Sequence, residues 1–185
     1  MGILGFLLVI VIAVALFGVS LYNGIITKSN RCDTAWQTID TQLQRRYDLI
    51  PNLVETVRGY TTHEKSTLED VVKARSAAIA APTPEAAMEA NENLTGALRQ
   101  LFALAEAYPD LKANTSFLEV QTELKDTENK ISYARQSYND CVLMYNNAIT
   151  TFPGTLIANH FGFTTRKGFE VDTAEARQVP KVDFK

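Results

Sequence analysis

A run of twenty uncharged residues near the N-terminus constrains the chain more than any other feature. Residues 3–22, ILGFLLVIVIAVALFGVSLY, contain no Asp, Glu, Lys or Arg. At about 1.5 Å per residue, a helix of this length just spans a bilayer core of roughly 30 Å. The sequence therefore predicts one membrane-spanning helix, with anchor and polar link together occupying residues 1–28.

A cleavable signal peptide is the alternative interpretation of this run. Such a peptide begins with basic residues, whereas only Met1 and Gly2 precede the apolar segment. The tripeptide at 13–15, Ala-Val-Ala, does resemble a small-residue cleavage site. We expect a retained anchor.

The distribution of charged residues indicates how the chain is oriented in the membrane and argues against one class of partner. Lys28 and Arg31 follow the run and no basic residue precedes it, so the positive-inside tendency places the C-terminal part in the cytoplasm, at the inner membrane. A net charge of −3 without a basic stripe argues against nucleic acid as a partner.

Three segments after the link have the seven-residue apolar repeat of coiled-coil-like packing. We expect helices over about 30–80, 85–107 and 113–151, separated by proline-containing breaks. Short connections favour antiparallel neighbours, so the fold class is all-α: a single transmembrane helix followed by a long-helix, up-down antiparallel bundle over 29–151. The aromatic-rich tail, 152–185, is expected to dock rather than to act as a linker.

Pro51 lies inside the first of these segments, in RRYDLIPNLVETVRGY. An internal proline removes one backbone donor and clashes with the preceding turn, at a cost of about 3 kcal/mol unless the helix bends. The apolar repeat keeps its phase across it. We therefore interpret Asp48, Pro51 and Asn52 as a structural helix joint, with Asp48 capping donors freed there.

The middle helix is too short to cover both of its neighbours, so part of each apolar face needs another cover. That cover is the first segment folded back at Pro51, the C-terminal tail, or another subunit. The predicted interaction surface consists of eight apolar and aromatic residues: Trp36, Ile39, Leu43, Tyr138, Tyr145, Phe161, Phe163 and Phe169. The repeated Tyr-Asn pairs at 138–139 and 145–146 indicate packed rings with amides bridging helices, or alternatively a strip that recognises a partner helix.

Charged residues interrupt or flank these apolar faces. We predict a structural polar network, formed by ion pairs that set helix register, from Arg46, Glu64, Glu106, Glu128 and Arg135. The alternative is that these charges line a cleft that binds a ligand, or pair across subunits.

Motifs for catalysis and cofactor binding are missing from the sequence. His63 and His160 lack the Glu-x-x-His spacing of bundle metal sites, and HEKST has Thr67 in place of the second histidine of a zinc peptidase helix. Cys32 and Cys141 have no CxxC spacing and are expected to pack as small apolar residues. We predict no enzyme activity, no cofactor and no metal.

Three long segments resemble the LemA family of bacterial membrane proteins: DTAWQTIDTQLQRRYDLIPNLVETVRGYTTHE, LAEAYPDLKAN and TENKISYARQSYNDCVLMYNNAITTFP. The resemblance continues through FPGTLIA to VDF near the end. It implies one N-terminal span and a four-helix bundle on the cytoplasmic side, with no established activity or catalytic residue to transfer. Relatives associated with magnetosome membranes favour a role in organising membrane.

Two functions follow as hypotheses. The first is a membrane-anchored, non-enzymatic scaffold that self-assembles as a homo-oligomer and organises membrane or partner proteins. The second is a sensor or adaptor that binds a ligand or a membrane protease through a polar cleft in the bundle.

Overall fold

The computed structural model describes residues 2–61 and 64–169. In chain order the helices are α1 (Gly2–Arg58), α2 (Lys65–Ile79), α3 (Pro84–Ala105), α4 (Pro109–Lys112), α5 (Thr115–Thr150) and α6 (Gly154–Phe161). No strand occurs in these two ranges, which confirms the all-α class.

The membrane span and the first bundle helix are one continuous helix. α1 has 57 residues, is therefore about 86 Å long, and contains an apolar stretch long enough to cross a membrane. The predicted link before residue 29 is helical, and Ile25 and Cys32 on either side of that position are buried against the rest of the molecule. The structure therefore has no boundary at residue 28, because helix and apolar packing both continue across it.

The bundle consists of α1, α2, α3 and α5. α1 packs along α5, while α2 packs mainly against α3. Thr83 caps α3 by accepting from the Ala86 amide, and Asn114 caps α5 by accepting from the Phe117 amide. These two caps mark helix starts that the sequence locates to within two residues.

The predicted single helix over 30–80 was wrong. α1 ends at Arg58, the chain turns, and α2 starts at Lys65, so α2 supplies the fourth bundle helix. The reversal lies beyond Gly59 rather than at Pro51. Val57 and Val71 are both fully buried, so the apolar repeat keeps its phase across the turn and could not reveal it.

Pro51 is an internal residue of α1, Asn52 is an exposed position of the same helix, and Asp48 is an exposed helical residue rather than a cap. A proline at 51 cannot donate to the carbonyl four residues earlier, which belongs to Tyr47. The Arg75 Nε of α2 donates to that carbonyl at 2.7 Å. The Tyr47 carbonyl, which has no helical donor, thus binds α2.

The side chain of Tyr47 makes a second connection from the same turn. Its buried hydroxyl accepts a hydrogen bond of 2.6 Å from Asn91 Nδ2 on α3. Burial raises the pKa of this phenol, so the hydroxyl stays neutral at physiological pH. One turn of α1 therefore holds α2 through its backbone and α3 through a side chain.

We expect Arg75→Met to lower the free energy of unfolding by about 1.5–3 kcal/mol, the usual contribution of a hydrogen bond from a charged donor. The loss should be smaller in a Pro51→Ala background, because that substitution restores a backbone amide that can donate to the Tyr47 carbonyl. Thermal unfolding followed by circular dichroism in detergent measures both costs. Lys73→Met, an exposed change on the same helix, is the control. Equal costs of Arg75→Met in both backgrounds would contradict this role for Pro51.

Candidate functional site

A long groove separates α3 from α5. The part lined by Phe102 and Gln121, which we call the distal part, has a volume of about 790 Å³. The part lined by Asn139 and Phe169 has a volume of about 670 Å³. The two parts share Thr95, Arg99 and Glu128. A ring contact between Phe102 and Phe117, with centroids 6.1 Å apart, joins α3 to α5 beside the distal part. Each volume falls within the range of ligand pockets.

Arg46 of α1 forms the floor of the groove. Its side chain is 5% exposed, and Nη1 lies 3.0 Å from Glu128 Oε2. Nη2 donates to the Thr95 hydroxyl at 3.0 Å. Burial lowers the pKa of this guanidinium, while Glu128 opposes that shift, so the carboxylate keeps Arg46 charged.

The polar groups of the floor are incompletely hydrogen-bonded. Arg46 Nη1 and Glu128 Oε2 attract each other as charges, but their alignment is too poor for a hydrogen bond. These two buried atoms and Arg135 Nε find no hydrogen-bond partner within the described part of the chain. Arg46 and Glu128 therefore hold each other as an ion pair, and Arg135 Nε is a buried donor at the edge of the groove.

The structure brings together only part of the predicted polar network. Arg46 and Glu128 form an ion pair, and Arg135 also lines the groove, with its guanidinium 4.9 Å from the centre of the Phe169 ring. Glu106 pairs instead with Lys112 on the surface. Glu64 lies in the turn just before α2.

Removing Glu128 should destabilise the bundle more than removing Arg46. Glu128→Gln leaves a buried guanidinium without its counter-charge, whereas Arg46→Met leaves Glu128, whose side chain is 43% exposed. Because of that exposure we expect Glu128→Gln to cost less than the roughly 3–5 kcal/mol of a fully buried pair. Thermal unfolding in detergent compares the two variants. Lys130→Gln, which breaks the exposed pair with Asp126, is the control. A larger loss for Arg46→Met would refute this explanation.

An extended segment, residues 163–169, follows α6 and lies along α5; we call it the strap. Asn146 Nδ2 donates to the Arg166 carbonyl at 2.9 Å, and the Arg166 amide donates back to Asn146 Oδ1 at 2.9 Å. Asn139 makes the same reciprocal pair with Phe169, at 3.0 and 2.7 Å. The Tyr-Asn repeat thus holds the tail rather than a neighbouring helix.

The spacing of the repeat matches the geometry of an extended chain. Seven helical residues from Asn139 to Asn146 rise about 10.5 Å, and three extended residues from 166 to 169 cover about 10 Å. The Tyr145 hydroxyl also donates to the Thr164 carbonyl at 3.0 Å. Gly168 allows the close approach, since a Cβ there would lie 2.8 Å from Asn139 Oδ1.

Arg166 connects the strap to α1. Its guanidinium donates to Asp33 Oδ1 at 2.5 Å and to Ser29 Oγ at 2.9 Å, and lies over the Tyr145 ring. The hydrogen bond to Asp33 raises the pKa of Arg166, so this anchor stays charged. Cys32, fully buried, lies in the turn of α1 that Arg166 contacts.

Most of the predicted interaction surface lies inside the molecule. Ile39, Leu43, Tyr138 and Tyr145 are core residues. The remaining four make aromatic contacts within the chain: Trp36 stacks on Phe169 at 6.2 Å, and Phe161 and Phe163 contact Tyr22. The strap and α2 thus supply the cover that the apolar helix faces needed. Of the eight residues, Phe161 alone is more than half exposed, at 56%.

Sequence reasoning does not assign the groove walls or the strap anchor. Arg99, Lys125 and Arg166 carry no periodic signal because they lie outside the apolar repeat. Asn139 and Asn146 are visible as a repeat, but their partners lie twenty or more residues further along the chain.

Detaching the strap should expose Cys32 to thiol reagents. Asn146→Ala removes both hydrogen bonds to Arg166, and we expect maleimide to react with Cys32 at least about fivefold faster, because two hydrogen bonds contribute about 1–3 kcal/mol. A Cys141→Ser background isolates the signal, and mass spectrometry quantifies it. Asn147→Ala, an exposed amide one residue along, is the control. Unchanged protection of Cys32 in Asn146→Ala would show that the strap does not shield it.

The described residues include no cluster of three or more His, Cys, Asp or Glu side chains placed to hold a metal ion. Cys32 and Cys141 are free thiols, and burial raises the pKa of Cys32. His63 lies outside the described residues. The polar side chains of the groove are arginine, lysine, carboxylate, amide and hydroxyl groups, so the available chemistry is hydrogen bonding and charge pairing.

Comparison with known proteins gives the family. The model of the LemA family matches residues 35–184, which include the groove, the strap and most of the four-helix bundle. The chain belongs to the LemA family.

Individual relatives are distant. Protein LemA of Metamycoplasma hominis is 25% identical over 165 residues, covering 87% of this chain and 72% of that protein. Magnetosome protein MamQ of Magnetospirillum gryphiswaldense is 23% identical over 168 residues, covering 77% of this chain and 62% of its own length. Magnetosome protein MamQ 2 of Paramagnetospirillum magneticum is 23% identical over 175 residues, covering 80% of this chain and 64% of its own length. This chain thus spans less than two thirds of either magnetosome protein. With the apolar span of α1, these relatives identify a membrane-associated LemA-family protein.

Proposed function

We propose that this LemA-family chain is a membrane-anchored, non-enzymatic scaffold that binds an extended, acidic segment of a partner membrane protein in the groove between α3 and α5. The observation that carries the proposal is the groove itself, whose distal part is an open space lined by Arg46, Arg99 and Lys125.

The shape of the groove favours an elongated occupant. Its lining residues on α5 extend from Gln121 to Asp140, which corresponds to about 28 Å of helix. A segment of eight or nine extended residues has this length. The strap demonstrates that α5 binds extended backbone through side-chain amides, and Phe169 of the strap lines one end of the groove.

The charge of the distal groove favours an acidic occupant. Arg46, Arg99 and Lys125 line it, against Glu128 as the acidic group. Leu98 and Phe102 add apolar wall for intervening side chains. An acidic segment gains charge pairs with Arg99 and Lys125 at the rim.

Lateral self-assembly is the second candidate. In the sequence, its main support is that the apolar helix faces need a cover. In the structure, α2 and the strap of the same chain provide that cover, so this support is weaker. The magnetosome-protein relatives favour a role at a membrane for either candidate. A membrane protease is one partner of the required class.

Site-specific photocrosslinking in native membranes tests the proposal. A benzoylphenylalanine at Phe102 places the probe on the groove wall, and the same probe at Tyr133, which is 74% exposed, samples α5 outside the groove. We expect the Phe102 probe, and not the Tyr133 probe, to form an adduct with a second membrane protein through an acidic segment. Arg99→Gln with Lys125→Gln should reduce the adduct about tenfold, because two exposed charge contacts together contribute about 1.4 kcal/mol.

Lys73→Gln with Lys130→Gln is the matched control, since it removes two exposed positive charges that do not line the groove. Circular dichroism verifies that helix content is unchanged in each variant. Adducts only between two copies of the chain would favour self-assembly and reject the groove proposal. Adducts only with residues 170–185 of the same chain would also reject it, since the groove would then be filled from within.

A further inference from the structure

A patch of exposed apolar side chains lies beside the end of the membrane span. Phe152, Leu156 and Phe161 are 79%, 61% and 56% exposed, although they belong to the turn and short helix that close the bundle. Gly154 and Ala158 face the bundle and are buried, whereas Leu156 lies on the outward face of α6, beside the exposed Asn159 and His160. Phe161, at the end of α6, lies on the side of Gly154 and contacts Tyr22 of α1. The patch is therefore a group of exposed apolar side chains around α6 that the described residues leave uncovered, and not one apolar helix face.

The patch is at the level where α1 leaves the bilayer. The Phe161 ring centroid lies 4.7 Å from that of Tyr22, the last residue of the uncharged run. Phe152 lines a depression together with Leu21, Gly24 and Ile25 of α1. The patch thus continues the lipid-facing surface of the span.

α6 can approach this close because of Gly154. A Cβ on Gly154 would lie 2.0 Å from the Ala148 carbonyl oxygen, so only glycine fits where the chain folds back from α5. The fold back places α6 against α1 rather than away from the membrane.

The surrounding charges place the lipid headgroups at the same height. Lys28 is the first charged residue after the span, about 9 Å along α1 from Tyr22. This interval is comparable with the polar layer on one side of a bilayer, which is roughly 5–8 Å thick. Aromatic side chains favour this layer.

We propose that Phe152, Leu156 and Phe161 insert into the interface between headgroups and acyl chains, so that α6 rests on the bilayer and fixes the height and rotation of the bundle about α1. The partner is lipid rather than a second copy, because the patch is continuous with a surface that already requires lipid.

Tryptophan quenching by brominated lipids tests this inference on the full-length chain. Phe152→Trp, Leu156→Trp and Phe161→Trp are made separately, and each protein is reconstituted in phosphatidylcholine vesicles with bromine high on the acyl chains. The native Trp36 is retained; it lies 14 residues beyond Tyr22, about 21 Å further along α1, and sets the background. Tyr133→Trp is the control, because Tyr133 is 74% exposed but lies about 26 Å from the end of α5.

We expect the bromine-dependent loss of fluorescence to be at least about twice as large in the three patch variants as in the control, because lipid quenches only rings that reach it. Three separate positions protect the result against failure of one variant to fold, and circular dichroism verifies helix content. Quenching equal to that of Tyr133→Trp would overturn the proposal. So would weak quenching accompanied by crosslinks between two copies at Phe161, which would assign the patch to a dimer contact. Neither result affects the groove proposal, which depends on α3 and α5.

Discussion

The uninterrupted course of α1 determines the rest of the architecture. Its first twenty or so residues need lipid, and the following turns need α5, α2 and α3, yet no break separates the two environments. A flexible link would let the bundle move freely relative to the membrane. A continuous helix instead fixes which residues lie near the headgroups and which lie far from them. The membrane-proximal position of α6 and the membrane-distal position of the α1–α2 turn both follow from this one rod.

Hydrogen bonds at two places in the bundle connect helices, or a helix and the strap, whose relative positions apolar packing alone would not fix. At Tyr47, the carbonyl freed by Pro51 accepts from Arg75, and the hydroxyl accepts from Asn91. At the other end, the asparagine repeat on α5 binds the strap with reciprocal backbone hydrogen bonds. Apolar seams are tolerant of register, whereas hydrogen bonds with defined partners are not. The polar contacts therefore select one arrangement among several that bury similar area.

Periodicity in the sequence is sufficient for the fold class and the buried apolar faces, while the uncharged run gives the span and the proline-containing breaks give the starts of α3 and α5. It fails at the α1–α2 reversal, because Val57 and Val71 stay in phase across the turn and Gly59 is a weak stop signal by itself. Arg46 and Glu128 are recognisable as polar residues at packing positions, but their pairing depends on how two distant helices meet. The groove itself cannot be predicted, since it is a space left between α3 and α5 rather than a pattern on either helix. Docking of the strap follows from its aromatic content, whereas its site on the Tyr-Asn repeat depends on the register of an extended chain against a helix.

Electrostatics gives a reason why the groove stays open. Arg46 is almost fully buried and pairs with Glu128, whose side chain as a whole is 43% exposed and therefore partly hydrated. Bringing α3 onto α5 would remove that water and add a desolvation cost of several kcal/mol to the pair. Apolar contact between Leu98 and Leu124 would offset only part of it, at about 1.5–3 kcal/mol per newly buried side chain, and both are already largely buried. An occupant with its own donors and acceptors can replace the water without leaving the charges unpaired. The same ion pair thus holds α1 to α5 and keeps space available beside it.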